Sequence, residues 1–431
     1  IKATQVMHYW ELHASRLSEI LNNPEALNVP SAQTIRRLQS IINTDELERF
    51  YADFFAAYPY CSNQDVKGFS FLKDVVGFDG QTMRGTGAFI IDPDDPQKIK
   101  KVPGYDIVSF FDCTNRVCLS QTVVDKKNNE AVVLDRLLSL INVSNTIITW
   151  DALNTRVNTL ESVVAKGADF VVSLKENQGA LYDAVEDAFS YIGESTLIDD
   201  YLNECRQIWY GHGRIEEKEC FILPAQVVLP KELAKKWKHI KSVIMVKTTK
   251  QYIRNGSTTE PAASIRYFIS SIVPDETDEH FADRMANTIR SRWGVEVQHY
   301  VLDCIFGQDG LKLRNQDYIK NMTVFTKIAV SMIGYVRGEL PPIRSKILAT
   351  HEAFIEAVEA DPLAGLEIAR AYFNHNVKPL FEVEAFYATE AIARPKQDKH
   401  DDRNDPIPEV FTGDSPLERK MRERRKSKKS K

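Results

Sequence analysis

Three acidic residues stand where hard-oxygen chemistry could be assembled. Asp79 ends the apolar run Val75-Val76-Gly77-Phe78, and Asp151 ends Ile147-Ile148-Thr149-Trp150. Acids at the carboxyl ends of buried strands lie at a sheet edge where ligands bind; an Asp before Gly or Ala is equally an ordinary turn or cap residue. The third, Glu296, follows Arg290-Ser291-Arg292-Trp293-Gly294-Val295. Helical spacing there puts Arg292, Glu296, His299 or Tyr300, and Asp303 on one face, with Trp293 and Val297 toward the core. A solvated face is the plain alternative. Carboxylates from two strand ends and one helix are nevertheless the donor set of a two-metal phosphoryl-transfer site, where two Mg2+ ions about 4 Å apart require hard oxygen ligands.

The elements that would position these acids follow from the hydrophobic periodicity. Residues 4–21, 31–38 and 44–57 read as helices, the second capped at Pro30-Ser31 and the third with Asp45 and Glu46 in its first turn. Strand-like runs follow at 74–79, 105–112 and 117–124, then a helix over 129–141, a strand at 146–150, a helix over 155–166 and a strand at 169–174. That order, β-β-β-α-β-α-β, implies a mixed α/β sheet flanked by helices. Runs at 204–209, 217–223, 240–249 and 266–272 predict a β-rich insertion. One long helix is expected over 278–304, another over 316–338, and further helix over 347–373. The expected organisation is a helical N-terminal segment (1–70), the two parts of a catalytic domain (71–174 and 276–340) around the insertion (175–275), a helical extension (341–393) and a disordered basic tail (394–431).

Composition bounds what such a site could serve. With 431 residues, 43% hydrophobic and 27% charged, the chain is an ordinary folded protein of several domains. Six cysteines without a Cys-x-x-Cys pair suggest neither a zinc ribbon nor a thioredoxin-like centre, and are expected to be reduced thiols. The apolar run 322–336 is interrupted by Lys327 and too short to cross a bilayer, so no membrane partner is expected. The chain opens on Ile1 without a basic-then-apolar leader, which reads as a fragment or trimmed product with a shortened N-terminal segment. Net charge is −5, but the last fourteen residues carry nine basic and two acidic side chains, +7, leaving −12 on the rest. An acidic body excludes coating of nucleic acid by the whole surface, while allowing a local basic groove and a basic tail.

Six stretches occur in order: Phe78-Asp79-Gly80-Gln81-Thr82-Met83-Arg84-Gly85, Ile148-Thr149-Trp150-Asp151-Ala152, Gly167-Ala168-Asp169 through Ser173-Leu174-Lys175-Glu176-Asn177-Gln178, Gly211-His212-Gly213-Arg214-Ile215-Glu216, Tyr267-Phe268-Ile269-Ser270-Ser271 and Arg292-Trp293-Gly294-Val295-Glu296. Together they resemble bacterial insertion-sequence transposases of the DDE superfamily, in the branch of the H-repeat-associated proteins. The resemblance covers roughly 30–338. It implies a ribonuclease H-like fold, Mg2+-dependent cleavage at transposon ends and strand transfer into target DNA. By the same resemblance Asp79, Asp151 and Glu296 are the catalytic metal ligands of two Mg2+ ions, with Mn2+ able to substitute. Arg292 matches a helix arginine, four residues before the glutamate, that contacts DNA phosphate. Ile289 stands where the wider pattern has tyrosine, and Asp303 where it has lysine.

Other candidates for DNA contact are Arg290, His212, Arg214, Lys175 and Asn177. His212 and Arg214 fit either a hairpin turn or a loop approaching phosphate. Lys175 and Asn177 follow a strand end, where a phosphate contact and, for Asn177, a helix cap are both open. Trp150 is expected in the core. The partners implied are double-stranded DNA and a second copy of the chain in a synaptic homodimer, in the cytoplasm at the nucleoid. The competing function is a catalytically silent, domesticated DNA-binding descendant of such an enzyme.

Overall fold

The computed structural model describes residues 3–56 and 71–374, apart from 72, 93–94, 115–116, 125–129, 212, 255–256, 276, 313–314 and 340–349. His212, the segment 375–393 and the basic tail therefore lie outside the described residues.

The chain begins with helices α1 (Ala3–Leu21), α2 (Ala32–Ile41) and α3 (Thr44–Ala56), α2 being capped by the Ser31 hydroxyl, which accepts from the Thr34 N–H. Strands β1 (Asp74–Met83), β2 (Ala88–Asp92), β3 (Asp95–Val102), β4 (Tyr105–Asp112) and β5 (Val117–Val124) follow, then α4 (Glu130–Leu140), β6 (Thr146–Thr149), α5 (Val157–Ala165) and β7 (Asp169–Leu174). Next come α6 (Ala180–Ser190), α7 (Thr196–Asp200), β8 (Asn203–Gly211), β9 (Arg214–Pro224), α8 (Ala225–Val228), α9 (Lys231–Lys236), β10 (Ser242–Arg254), β11 (Ser257–Thr258) and β12 (Ala262–Ser270). The chain continues as α10 (Phe281–Ser291), α11 (Trp293–Tyr300), a π-helical turn (Val301–Ile305), α12 (Gln316–Glu339), α13 (His351–Ala360) and α14 (Pro362–Asn374). The result is a mixed α/β protein. No helix of the described residues is long and apolar enough to cross a membrane.

Two compact units share these elements. The first contains the N-terminal helices, Gly77–Asn142 and the chain from Trp293 onward. Its sheet order is β5-β4-β1, with β4 and β5 antiparallel from Asp106↔Val124 to Asp112↔Val117. β5 is buried along its whole length because helices cover it: Tyr51 of α3 donates to the Cys118 carbonyl, and α12 contributes Val324, Tyr318, Ile319 and Met322 to the two cores around Phe111 and Ile107. β2 and β3 form a separate antiparallel ribbon, Ala88↔Val102 to Asp92↔Asp95, that the periodicity does not reveal. Its Phe89, Ile91 and Ile99 are exposed beside Lys98, Lys100 and Lys101, so no buried face imposes alternation.

The second unit is formed by Val143–Arg292 with the first residues of β1. Its strand order is β6-β7-β12-β10-β9-β8; β6 and β7 are parallel, the remaining pairings antiparallel. The insertion strands thus continue the sheet through β12, which pairs Tyr267↔Leu174 with β7. Phe281, Met285 and Ile289 of α10 pack on Cys220, Ile222, Ile244 and Val246 of the sheet. The helix α6 interrupts the expected run of strands; its Leu181, Val185, Ala188 and Phe189 form the buried face.

The single helix expected over 278–304 is divided. Arg292 caps α10, and the π turn bonds Phe306 N–H to Val301 O before Gly307 (φ +65°) ends the run. The division changes which side faces inward: Trp293 is 47% exposed, and Val295 and Gln298 are buried in place of the expected Trp293 and Val297.

Candidate active site

In the first unit, β1 delivers Asp79 from a segment buried on both faces, Val75 to Phe78. The Asp79 carboxylate accepts from the Gly80 N–H at 2.9 Å. Alternation places Gly77, Asp79 and Gln81 on one face of the strand. A β-carbon on Gly77 would stand 2.2 Å from Val295 Cγ2, and the Gln81 amide donates to the Asp303 carboxylate. Val295 to Asp303 spans about 12 Å of helix axis, and Gly77 to Gln81 about 13 Å of strand, so α11 and its π turn run alongside β1. Asp79 projects between those two contacts. Glu296 follows Val295, about 100° further round the helix, and is exposed on the flank. Burial raises the Asp303 carboxyl above the usual range, with the Asp309 charge adding to it and the Gln81 bond opposing.

Asp151 belongs to the second unit, at the carboxyl end of β6. The parallel register Ile147↔Asp169, Ile148↔Phe170 brings the end of β7 beside it. Ser173 Oγ donates to Asp151 Oδ1 at 3.2 Å, and Lys175 Nζ reaches both carboxylate oxygens, at 2.9 and 3.1 Å. Burial pushes this carboxyl up, but the Lys175 bond, the Ala152 N–H and the charges of Lys175 and Arg292 outweigh it and hold it below the usual carboxylate range. Arg292, the cap of α10, therefore acts on Asp151 electrostatically. The turn after Asp151 is fastened from the β7 side: Asn177 Nδ2 and Gln178 Nε2 donate to Ala152 O at 3.1 and 3.0 Å, and Gln178 also to Thr155 O. Trp150 is fully buried against Phe170, as expected.

Arg214 and Arg290 gather elsewhere in the second unit. Arg214 pairs with buried Glu216 at 3.4 Å, and Arg290 Cζ stands 4.4 Å above the Trp209 ring. The sequence reading missed Ser173 and Gln81, whose only signal was that they lie within the quoted stretches.

The donor atoms suit a hard cation: the three acids offer carboxylate oxygens, and Asp151 is held ionised with a cationic group already on both its oxygens. Among the described residues, no three Asp, Glu, His or Cys side chains stand close enough to share one ion.

Residues 70–332, more than half of the chain, match the transposase DDE domain. YncI of Escherichia coli O157:H7, a transposase by name, is 25% identical over 77% of this chain and 78% of its own length. YhhI of E. coli K12, an H repeat-associated transposase by name, and YbfL of the same strain are each 25% identical over 71% of this chain and 73% of their own lengths. Asp79 stands inside β1, which continues to Met83 rather than ending at 79 as the apolar run predicts because Gln81 and Met83 are buried in turn; Asp79, Asp151 just past the end of β6 and Glu296 of α11 all fall within the matched residues. The chain belongs to the transposase DDE-domain family.

Proposed function

We propose that this chain cuts DNA at the ends of its own mobile element and joins the freed 3′-hydroxyls to target DNA. Asp79, Asp151 and Glu296 would hold a pair of Mg2+ ions, or Mn2+ in their place. Such a pair, when bound, activates the attacking oxygen and stabilises the leaving one. The observation that carries the reading is the Asp151 site, where Lys175 and Arg292 keep a half-buried carboxylate ionised at a strand end. Lys175 and Ser173 aim that carboxylate, and Asn177 and Gln178 fix the turn that follows it. Arg292, whose charge acts at the same place, would steady the scissile phosphate. The substrate is double-stranded DNA, the working form a homodimer that pairs two element ends, and the location the nucleoid.

The test is Asp151→Asn, which keeps shape and removes charge. It is expected to abolish Mg2+-dependent cleavage of element-end duplex while leaving duplex binding in place. Full cleavage by the variant would refute the assignment. Binding without any Mg2+-dependent cleavage by the unaltered protein would instead identify a silent DNA-binding descendant.

A further inference from the structure

The β2–β3 ribbon divides its charge along its length. Residues 92–95 include Asp92, Asp94 and Asp95, whereas the returning strand carries Lys98, Lys100 and Lys101. The register sets Asp92 against Asp95 at the outer end, and Ile90 against Lys100 and Phe89 against Lys101 toward the base. Alternation gathers Phe89, Ile91, Ile99 and Lys101 on one face. The three apolar side chains of that face are 74, 66 and 74% exposed, and among the described residues no further strand joins the ribbon. Its base is fixed: the Thr86 hydroxyl donates to the Met83 carbonyl at 2.7 Å and accepts from the Tyr105 N–H at 2.8 Å.

We propose that this face is an interface between two copies of the chain, in which two ribbons pack face to face and antiparallel about a two-fold axis. The proposal rests on the reading of the working form as a homodimer and names a surface that joins its halves.

A two-stranded ribbon is marginally stable in water until its apolar face is covered, and adjacent exposed apolar side chains rimmed by charge mark a contact surface. The charges choose the occupant. A polyanion or an acidic lipid surface would be drawn to the lysines and repelled by the acids, which begin about 10 Å along the ribbon from Lys101. A second ribbon offers both signs in the complementary order. A two-fold axis between the levels of Ile90 and Ile91 sets Asp92 and Asp95 of each copy level with Phe89 and Lys101 of the other, so that one operation pairs acid with base at both ends. Phe89, Ile91 and Ile99 of the two copies then cover one another as an apolar core inside a charged rim. Edge-to-edge pairing is disfavoured, because β3 carries three lysines within four residues and Pro96 offers no N–H. Three apolar side chains per copy fall short of the roughly 800 Å2 per partner of a standard interface, so the contact makes a weak dimer that forms with concentration.

The experiment is sedimentation of the full chain over a dilution series without DNA or metal, with thermal unfolding of each variant recorded where it is monomeric. The unaltered chain should pass from monomer to dimer. Phe89→Ser with Ile99→Ser should move that transition to about tenfold higher concentration or beyond, at unchanged unfolding temperature. Lys100→Glu with Lys101→Glu makes the ribbon acidic at both ends, and Asp92→Lys with Asp95→Lys makes it basic at both. Each should lose self-association, and an equimolar mixture of the two should recover the dimer, which repair of a merely structural defect would not produce. A chain that stays monomeric throughout, a dimer indifferent to the serine variant, or a mixture that remains monomeric overturns the interface. Flotation of a monomeric chain with phosphatidylglycerol vesicles, abolished in the serine variant, overturns it in favour of a lipid surface. With no DNA or metal present, those failures leave the Asp151 test standing. A ribbon-dependent dimer of a chain that never cleaves duplex supports the interface and refutes the DNA-processing reading.

Discussion

Gly77 lies so close to Val295 that a β-carbon there would come within 2.2 Å of the valine Cγ2. This contact sets α11 against β1 and places Glu296 next along the helix. Gly77→Ala should therefore destabilise the fold by about 1–3 kcal/mol, the usual range for overpacking a filled core. Val295→Ala in the same chain should return most of the loss. Chemical unfolding of the single and double variants checks both; wild-type stability of Gly77→Ala would show that the helix is not seated there.

Lys175→Gln removes the bond that does most to lower the Asp151 carboxyl against the effect of burial. A depressed carboxyl favours the folded state above its unfolded pKa, about 3.9, and that contribution is lost as pH falls through the folded value. The variant should be less stable than wild type at neutral pH, and the gap should close in acid. Unfolding temperatures across an acid-to-neutral series read this; a gap that persists unchanged in strong acid would detach Lys175 from the Asp151 charge.

Asp303 has the opposite sign. Its carboxyl is raised, chiefly by burial, so ionisation is disfavoured in the fold and stability falls as pH rises through the folded value. Asp303→Asn keeps the oxygen that accepts from Gln81 and removes the charge. The variant should unfold at a higher temperature than wild type at neutral pH and at the same temperature once the wild-type carboxyl is protonated.

Lys327 of α12 is fully buried, and burial lowers its amine despite the compensating Cys118 interaction. The unfolded chain binds the proton more readily than the folded one, so stability rises with pH between the lowered value and about 10.4. Lys327→Met should raise the unfolding temperature at neutral pH, with the gain shrinking in alkali. A loss at neutral pH would mean that the amine's contacts outweigh the cost of burying it.

Legibility in the sequence followed burial. The runs 105–112, 117–124 and 169–174 coincide with β4, β5 and β7 because strands buried in the sheet read as continuous apolar segments with sharp ends. The β2–β3 ribbon escaped because its apolar residues are exposed and interleaved with lysines. The break at Arg292 has no proline to announce it, and Trp293 looked like core until α11 turned Val295 inward. Asp151 was legible as a strand-end acid, whereas Asp79 lies within β1, whose continuation to Met83 through the polar Gly80-Gln81-Thr82 breaks the apolar run. The partnership of Asp151 with Lys175 depends on the parallel register of β6 and β7, and that of Arg290 with Trp209 on the alignment of β8 with the end of α10. Neither alignment is written in local periodicity.

The π turn Val301–Ile305 carries one residue more per turn than an α-helix would. In evolutionary terms it is a place where the chain can change length without losing phase. Deleting exposed Cys304, just past Asp303, would let the turn relax to α-helical bonding while every residue from Trp293 to Asp303 kept its orientation toward β1. The same deletion one turn earlier, within α11, would rotate Asp303 away from Gln81 by about 100°. Relatives that differ by a single residue after this helix are thus expected to place the gap in that turn.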